Sequence, residues 1–474
     1  MEQRMFKSRT LATLCCMAVA SIAHAQSNLF VLTTDFATGN TAFWEPQESE
    51  ARVNLLNVHA DAVGKYHDGK VYIINRLGQD NIIVLDENDL SMPLLQFSIG
   101  NGANPHDIEI VSPDKAYVSL YATAELLIVN PQNGVELGRI DLSAFADADG
   151  LPEVSHIVRA GPRLYLSCQR LDRDNGWIPV EPSYLIVVDI ASDRVVDVDP
   201  TTDGVQGIAL DAPNPNSVIA AGDKLVVSVV SNFGDLAGGI EVVDPSNNRS
   251  LGLAIGEESL GGDITGLVMA TQDKGFAVVT DANFVNLVRP VNLATGAVGP
   301  PLLGLSGGYI ASIAVDGDRL IVGDRGSFED PNAAGLKIYD TRTAALVAGP
   351  ISTGLPPNNI VVLGPQMIPT AVADANAEAL PAQFGLANPY PNPFNASVLI
   401  SYRVDSDYAH GELTVLDMLG RTVRTLVSGE LGRGQHAQQW DGRDDAGHIA
   451  GNGSYLVQLR VGDQQTATKI TLLK

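Results

Sequence analysis

The sequence predicts an all-β protein in which a seven-bladed β-propeller precedes a small β-sandwich. Three observations lead there. Short β-branched runs recur at intervals of 45, 48, 61, 51 and 44 residues. The 474 residues include 46 Gly and 26 Pro, many turn-formers for a helical protein but suited to one made of hairpins. The charge balance also changes abruptly past residue 383. A 45% hydrophobic share is ample for packed cores and excludes a disordered chain.

The chain opens on an expected export signal. Arg4, Lys7 and Arg9 are basic, Leu11 to Ile22 is apolar but too short to span a bilayer, and Ala23-His24-Ala25 reads as a cleavage site. Residues 1–25 are the expected signal peptide, with the mature chain starting at Gln26 and an uncleaved anchor as the alternative. Leu14 stands before Cys15, where a lipoprotein signal needs a small residue. No later stretch approaches the roughly 18 apolar residues of a membrane-spanning helix, so no transmembrane segment is expected in the mature chain. Removal of the signal leaves Cys168 as the single cysteine, which excludes an intrachain disulfide and a cysteine-based zinc site. Its apolar run, Leu164 to Cys168, suits a buried strand thiol.

The repeat comes next. The leading runs are Val71–Ile74, Ala116–Ser119, Leu164–Ser167, Leu225–Ser228, Phe276–Val279 and Leu320–Gly323. A second run follows and often ends in Asp or Asn: Ile82–Asp86, Leu127–Asn130, Leu185–Asp189, Ile240–Asp244 and Leu336–Asp340. A turn such as Pro131-Gln132-Asn133-Gly134 leads to a third run, and a run such as His106–Val111 precedes the first. Four strands per roughly 40–50 residues is the propeller period. Six units fit between about 62 and 353. The seventh is assembled from the two ends, with Leu29–Leu32 and Ala42–Trp44 as outer strands and Asn359–Leu363 as the inner one. Such closure removes open sheet edges. The units at 205–256 and 262–303 are the least regular, and six or eight blades are the alternatives. The propeller is expected over 26–363, a Pro/Ala-rich linker over 364–383, and the sandwich over 384–474.

Charge separates the two domains. The formal net charge is −25, and residues 384–474 hold 8 basic and 9 acidic side chains. The excess acidity therefore belongs to the propeller and argues against nucleic-acid or anionic-membrane partners, which need a basic face.

Two family resemblances are visible. The stretch Asn104 to Gly134, with Asn104-Pro105-His106-Asp107 and Ala116-Tyr117-Val118-Ser119, resembles the YVTN or YncE-like surface propellers. That likeness implies a fold more than a function. In the sandwich, Tyr390-Pro391-Asn392-Pro393-Phe394-Asn395 is followed by Gly420-Arg421, Trp440-Asp441-Gly442 and a terminal segment from Lys469 to Lys474. This order of motifs is similar to the type A C-terminal sorting domain of type IX secretion, also described as a FlgD-like immunoglobulin fold. The resemblance implies an immunoglobulin-like β-sandwich read by the type IX secretion translocon, and a secreted or cell-surface location after periplasmic transit. Ala396 departs from the usual Pro, and Asn452-Gly453-Ser454 from a Ser-Gly-Val-like turn. A plain sandwich that spaces or binds is the alternative.

Candidate binding residues fall on one face of the propeller. Loops between second and third strands share a face with the segments that join blades, and the long ones are Arg170–Pro182, Asn232–Gly239 and Arg325–Gly335. His106, Asp107 and His156 lie near inner-strand starts, within reach of the channel, and are expected ligand-binding residues with Trp177. The two histidines either ligate a metal or serve as hydrogen-bonded turn residues; His59 and His67, near another blade start, carry the same ambiguity. Trp177 either stacks on a flat ligand or pins its loop. Asp147, Asp149 and Glu153 resemble half of a calcium loop, so calcium or another divalent cation is a candidate, against a solvated acidic turn. No G-x-S-x-G, H-E-x-x-H or phosphate-cradling loop occurs, and no catalytic residue is assigned. The expected function is binding of an unknown ligand or partner. A lactonase-like or quinoprotein-like enzyme using the same face is the alternative.

Overall fold

The computed structural model describes residues 26–364 and, within 384–472, all but 387, 388, 390–393, 395–397, 405, 407, 418, 419, 432, 433 and 463. The expected signal 1–25, residues 365–383 of the linker, and motif positions Tyr390, Pro391, Asn392, Pro393, Asn395 and Lys474 lie outside the described residues.

Residues 26–364 form seven antiparallel blade sheets and one two-stranded ribbon, Leu171–Asp172 with Ile178–Pro179. Strands within each blade are lettered a to d from the channel outwards, and the ribbon lies in the b–c loop of blade 4. Blade 1 takes its a strand from Pro357–Leu363 and its b, c and d strands from Asn28–Thr34, Gly39–Trp44 and Asn57–Val58. Both ends of the propeller thus share one sheet, with Phe30 opposite Val361. The a strands of blades 2 to 7 are Val63–His67, Pro105–Ser112, Val154–Ala160, Pro215–Ala221, Asp263–Met269 and Ile310–Asp316. The less regular segments form ordinary blades too: Pro215–Gly256 is blade 5 and Asp263–Val298 is blade 6. Only blade 4 is unusual, because a fifth short strand, Ile208–Ala209, pairs with its c strand Tyr184–Asp189.

Alternation of side chains builds the ring. In blade 1, Leu29 and Val31 pack toward Ile321 and Ile338 of blade 7, whereas Phe30 and Leu32 pack toward Val71 and Ile73 of blade 2. Seven apolar clusters form this way, one at each junction between successive blades. Both faces of every sheet are therefore buried, which explains the continuous apolar runs in b and c strands. In blades 2 to 7 an acidic or amide residue at the end of the c strand caps the c–d turn: Asp86, Asn130, Asp189, Asp244, Asn292 and Asp340 each accept a backbone N–H two or three residues on. Gly134 closes one such turn at φ 73°, with its Cα pressed on blade 2, where a Cβ would lie 2.4 Å from Phe97.

Residues 384–472 form an immunoglobulin-like sandwich of two sheets. One orders Gly385–Leu386, Val398–Val404 and Gly434–Trp440; the other orders Thr422–Leu431, Tyr408–Asp417, Gly453–Val461 and Gln464–Leu472. Trp440 is fully buried between Phe394 and Tyr455, and its indole N–H donates to the Arg443 carbonyl at 2.7 Å. Gly420, at φ 78°, turns the chain so that Arg421 can pair with Asp417 at 2.7 Å. Gly442 has φ 70°, and Asp441 accepts the Arg443 N–H. Most described motif residues therefore serve the fold directly; Lys469 is exposed on the last strand.

Candidate functional site

Six of the seven a strands carry a β-bulge at the same end. The extra residue is His106 in blade 3, Asn216 in blade 5, Thr265 in blade 6, Ala311 in blade 7 and Asn358 in blade 1; in blade 4 Ser155 and His156 together face Ser167. A bulge re-aims its side chain. None of the five single extra residues is buried, nor is His156, although Ser155 and the flanking residues Pro105, Ile157, Pro215 and Ile310 are. The bulged side chains converge on one mouth of the channel, and polar bonds stitch blades together beneath them. Asn359 accepts the Gly64 N–H, Asn216 donates to the Thr265 carbonyl, and Ser312 accepts the Ile360 N–H.

His106 and His156 are at the mouth, as their positions suggested, and neither belongs to the metal-capable group found among the described residues. The His106 ring stacks on Tyr121 at 4.2 Å, with the Arg76 guanidinium 3.4 Å from Nδ1. Burial first, then Arg76 and His156, pushes its pKa down to about 2, so the ring is neutral. An arginine at that distance opposes a cation. His156 exposes its ring to the lumen and shares a 3.3 Å contact with Ser155. Asp107 is committed to the fold: Oδ2 accepts the Ile157 N–H of the next blade at 2.9 Å, and Oδ1 meets Lys65 at 3.2 Å. His67 ends its a strand and so lies at the opposite end of the channel, unlike a residue of the loop-rich mouth. A concavity of about 440 Å³ opens there, bordered by Lys65, which is tied to Glu109 at 2.7 Å.

Asp147, Asp149 and Glu153 do come together. Their carboxylates offer one oxygen each within 4.8 Å of one another, the one such metal-capable group among the described residues. The segment folds on itself because Asp147 accepts the Asp149 N–H and Asp149 accepts the Leu151 N–H. Asp147 Oδ2 and Asp149 Oδ2 are buried with no hydrogen-bond partner. Glu153 is fully buried, at φ 45°; one oxygen accepts the Leu171 N–H at 3.1 Å and the other meets Arg173 Nε at 2.9 Å. Burial pushes its pKa up to about 7, helped by Asp149 and Asp147 and opposed by Leu171 and Arg173. The donor set fits a hard divalent cation, with Asp147, Asp149 and Glu153 as oxygen ligands and Arg173 as its competitor. Arg173, unmarked in the sequence, is the organiser: it also donates to the Tyr121 carbonyl and lies 5.1 Å from the Trp177 ring. Trp177 itself is half exposed, with its backbone N–H donating to the Asp172 carbonyl.

The face has a consistent charge. Its b–c loops and blade-joining segments contain 19 carboxylates against four arginines and no lysine. Every one of those arginines is engaged within the face: Arg76 with Asp61, Arg170 with the Pro182 carbonyl, Arg173 with Glu153, and Arg325 with the Thr34 carbonyl.

Residues 394–465 match the FlgD Ig-like domain family. No curated protein matches the chain. Among solved structures, the chain is similar to a "putative 6-phosphogluconolactonase" of Bacteroides fragilis, at 12% identity and a TM-score of 0.50, over 72% of this chain and 98% of that one. It is also similar to hydrazine synthase of Kuenenia stuttgartiensis (14% identity, TM-score 0.47, 64% of this chain and 91% of that one). A third is the WD40 β-propeller domain of Doa1 (12%, TM-score 0.39, 61% and 82%). At these identities the first likeness speaks for the propeller fold alone.

Proposed function

We propose that the protein is an exported propeller that binds a ligand or partner over the bulged, loop-rich mouth of its channel. The C-terminal sandwich then directs type IX secretion and surface attachment. The observation behind the first statement is the placement of six a-strand bulges at one mouth, beside the longest loops. A divalent cation at Asp147, Asp149 and Glu153 would fix the geometry of that rim, supplying positive charge where the face has little.

Titration of the purified mature chain with calcium checks the cation. Heat is expected, with affinity rising between pH 6 and 8 as Glu153 loses its proton about pH 7. Asp149→Asn should abolish the heat, and its absence in the parent at pH 8 removes this reading. The sorting role is tested by ending the chain at residue 383, which should hold the propeller in the periplasm. A truncated chain that still reaches the medium overturns it.

An enzyme using the same face has one observation in its favour, the carboxyl of Glu153 near neutrality at the rim. A phosphorylated lactone would meet a face with 19 carboxylates and no uncommitted arginine, which opposes that substrate class.

A further inference from the structure

Each blade presents at least one large apolar side chain at its b–c loop, and all of them lie on the bulged face. In blades 7 and 1, Phe328 and Phe36 stand out; Phe36 is 70% exposed at φ 71°. In blades 5 and 6, Phe233 and Phe284 stack across the junction at 6.1 Å, with Phe284 74% exposed. Trp177 and the partly covered Tyr121 flank Arg173 in blades 4 and 3, and Leu77 completes the set in blade 2. Every exposed Phe, Trp or Tyr among the described residues is on this face; Tyr309, in the segment joining blades 6 and 7, is the remaining one. The exposed apolar residues of the d strands, such as Met92, Leu94 and Val347, are all aliphatic. Exposed aromatic rings gathered on one face mark a contact surface.

Charge identifies the partner. Carboxylates outnumber arginines 19 to four around these rings, so an anionic ligand is repelled. A neutral sugar would use the rings and leave the carboxylates uncompensated. A guanidinium or ammonium group uses both, stacking on a ring and pairing with a neighbouring carboxylate. The protein already makes this contact with itself: Arg325 lies 4.2 Å from the centre of the Phe36 ring and Arg173 lies 5.1 Å from that of Trp177. The Phe233–Phe284 pair and Phe328 are left for a partner's cations. We propose that this rim docks a basic polypeptide segment, its arginine and lysine side chains lying on the b–c loop rings between the carboxylates.

The proposal rests on the reading that the bulged face binds, and the test separates the two. Fluorescein-labelled nona-arginine is titrated into the mature chain, beside nona-glutamate and cellohexaose as probes. The parent is compared with a Phe233→Ser, Phe284→Ser, Phe328→Ser triple variant, and with a Met92→Ser, Leu94→Ser, Val347→Ser control on the d strands. All six positions are exposed, so both variants should keep the parent melting temperature; Phe328→Ser alone replaces the triple if it does not. The expected result is salt-sensitive nona-arginine binding, weakened about tenfold by the tip substitutions and unchanged by the control. Equal binding in both variants means charge alone and overturns the proposal. Cellohexaose bound in place of nona-arginine, and lost in the tip variant, overturns the basic partner while the face reading stands. Nona-arginine protection from hydrogen exchange that falls outside the b–c loops overturns the face reading too.

Discussion

The sandwich and the propeller hold their informative residues in opposite ways. In the sandwich the recognisable motif goes inward or into turns: Phe394 and Trp440 fill a single core, and Gly420 and Gly442 turn the chain. In the propeller the core is divided among seven junctions, and the distinctive residues point outward at one mouth. A small one-core domain needs particular residues at particular places, so its sequence is recognisable. A ring of equivalent blades tolerates any apolar pattern of the right period, so its surface is left free to vary.

Substitutions can sharpen that contrast. Trp440→Ala should have the largest effect, about 3–5 kcal/mol, because it empties the one core and orphans the ring stack with Phe394 and Tyr455. Calorimetry of the mature chain should lose the sandwich transition and keep the propeller's; loss of both would mean that the domains are thermodynamically coupled.

Next is blade 7, where Lys337 and Asp324 form a buried pair at 2.8 Å, with side chains 4% and 0% exposed. Asp324 also accepts Ser306 and Gly326 N–H groups, so Lys337→Met leaves a charge held in place without its counter-ion. A loss of about 3 kcal/mol is expected from the denaturant midpoint. Arg342→Ala, at an exposed pair, should change stability by less than about 0.5 kcal/mol. If the two substitutions cost the same, the buried pair is not a local keystone.

The last effect is pH-dependent. Glu257 is fully buried where blade 5 joins blade 6, accepting N–H groups from Gly238 and Ile264, and burial pushes its pKa up to about 7 from 4.5. A carboxyl whose pKa is raised by folding adds stability that is full below 4.5, declines as pH rises, and is gone above about 7. Melting temperatures of the parent and Glu257→Gln, measured across that window, should diverge in the parent's disfavour as pH rises. Parallel curves would mean that the carboxyl stays ionised throughout.

Much of the architecture was legible. The run spacing located the b and c strands, the Asp and Asn residues that end the c strands mark the turns they cap, and the two ends of the segment share blade 1. The irregular stretches 205–256 and 262–303 misled only in appearance, because blade pairing depends on apolar alternation rather than on loop length. For the candidate site, Asp147, Asp149 and Glu153 were found by spacing because they are close in the chain. Asp107 was read as a ligand residue but clamps blade 3 to blade 4, and no local pattern distinguishes the two roles. Arg173 was missed for the same reason: it reaches Glu153 from 20 positions away.

What the sequence by itself determined is the period, the hydrophobic alternation, the placement of acidity and the identity of the sandwich motif. These are local or additive properties of the chain. Only the tertiary structure decided that six bulges face one mouth and that His106 is kept neutral by burial, with Arg76 adding to it. It alone brought Phe36, Phe233, Phe284 and Phe328 to a common rim. Each is a single residue in its own turn, and the ring closure that unites them is a property of all seven blades at once.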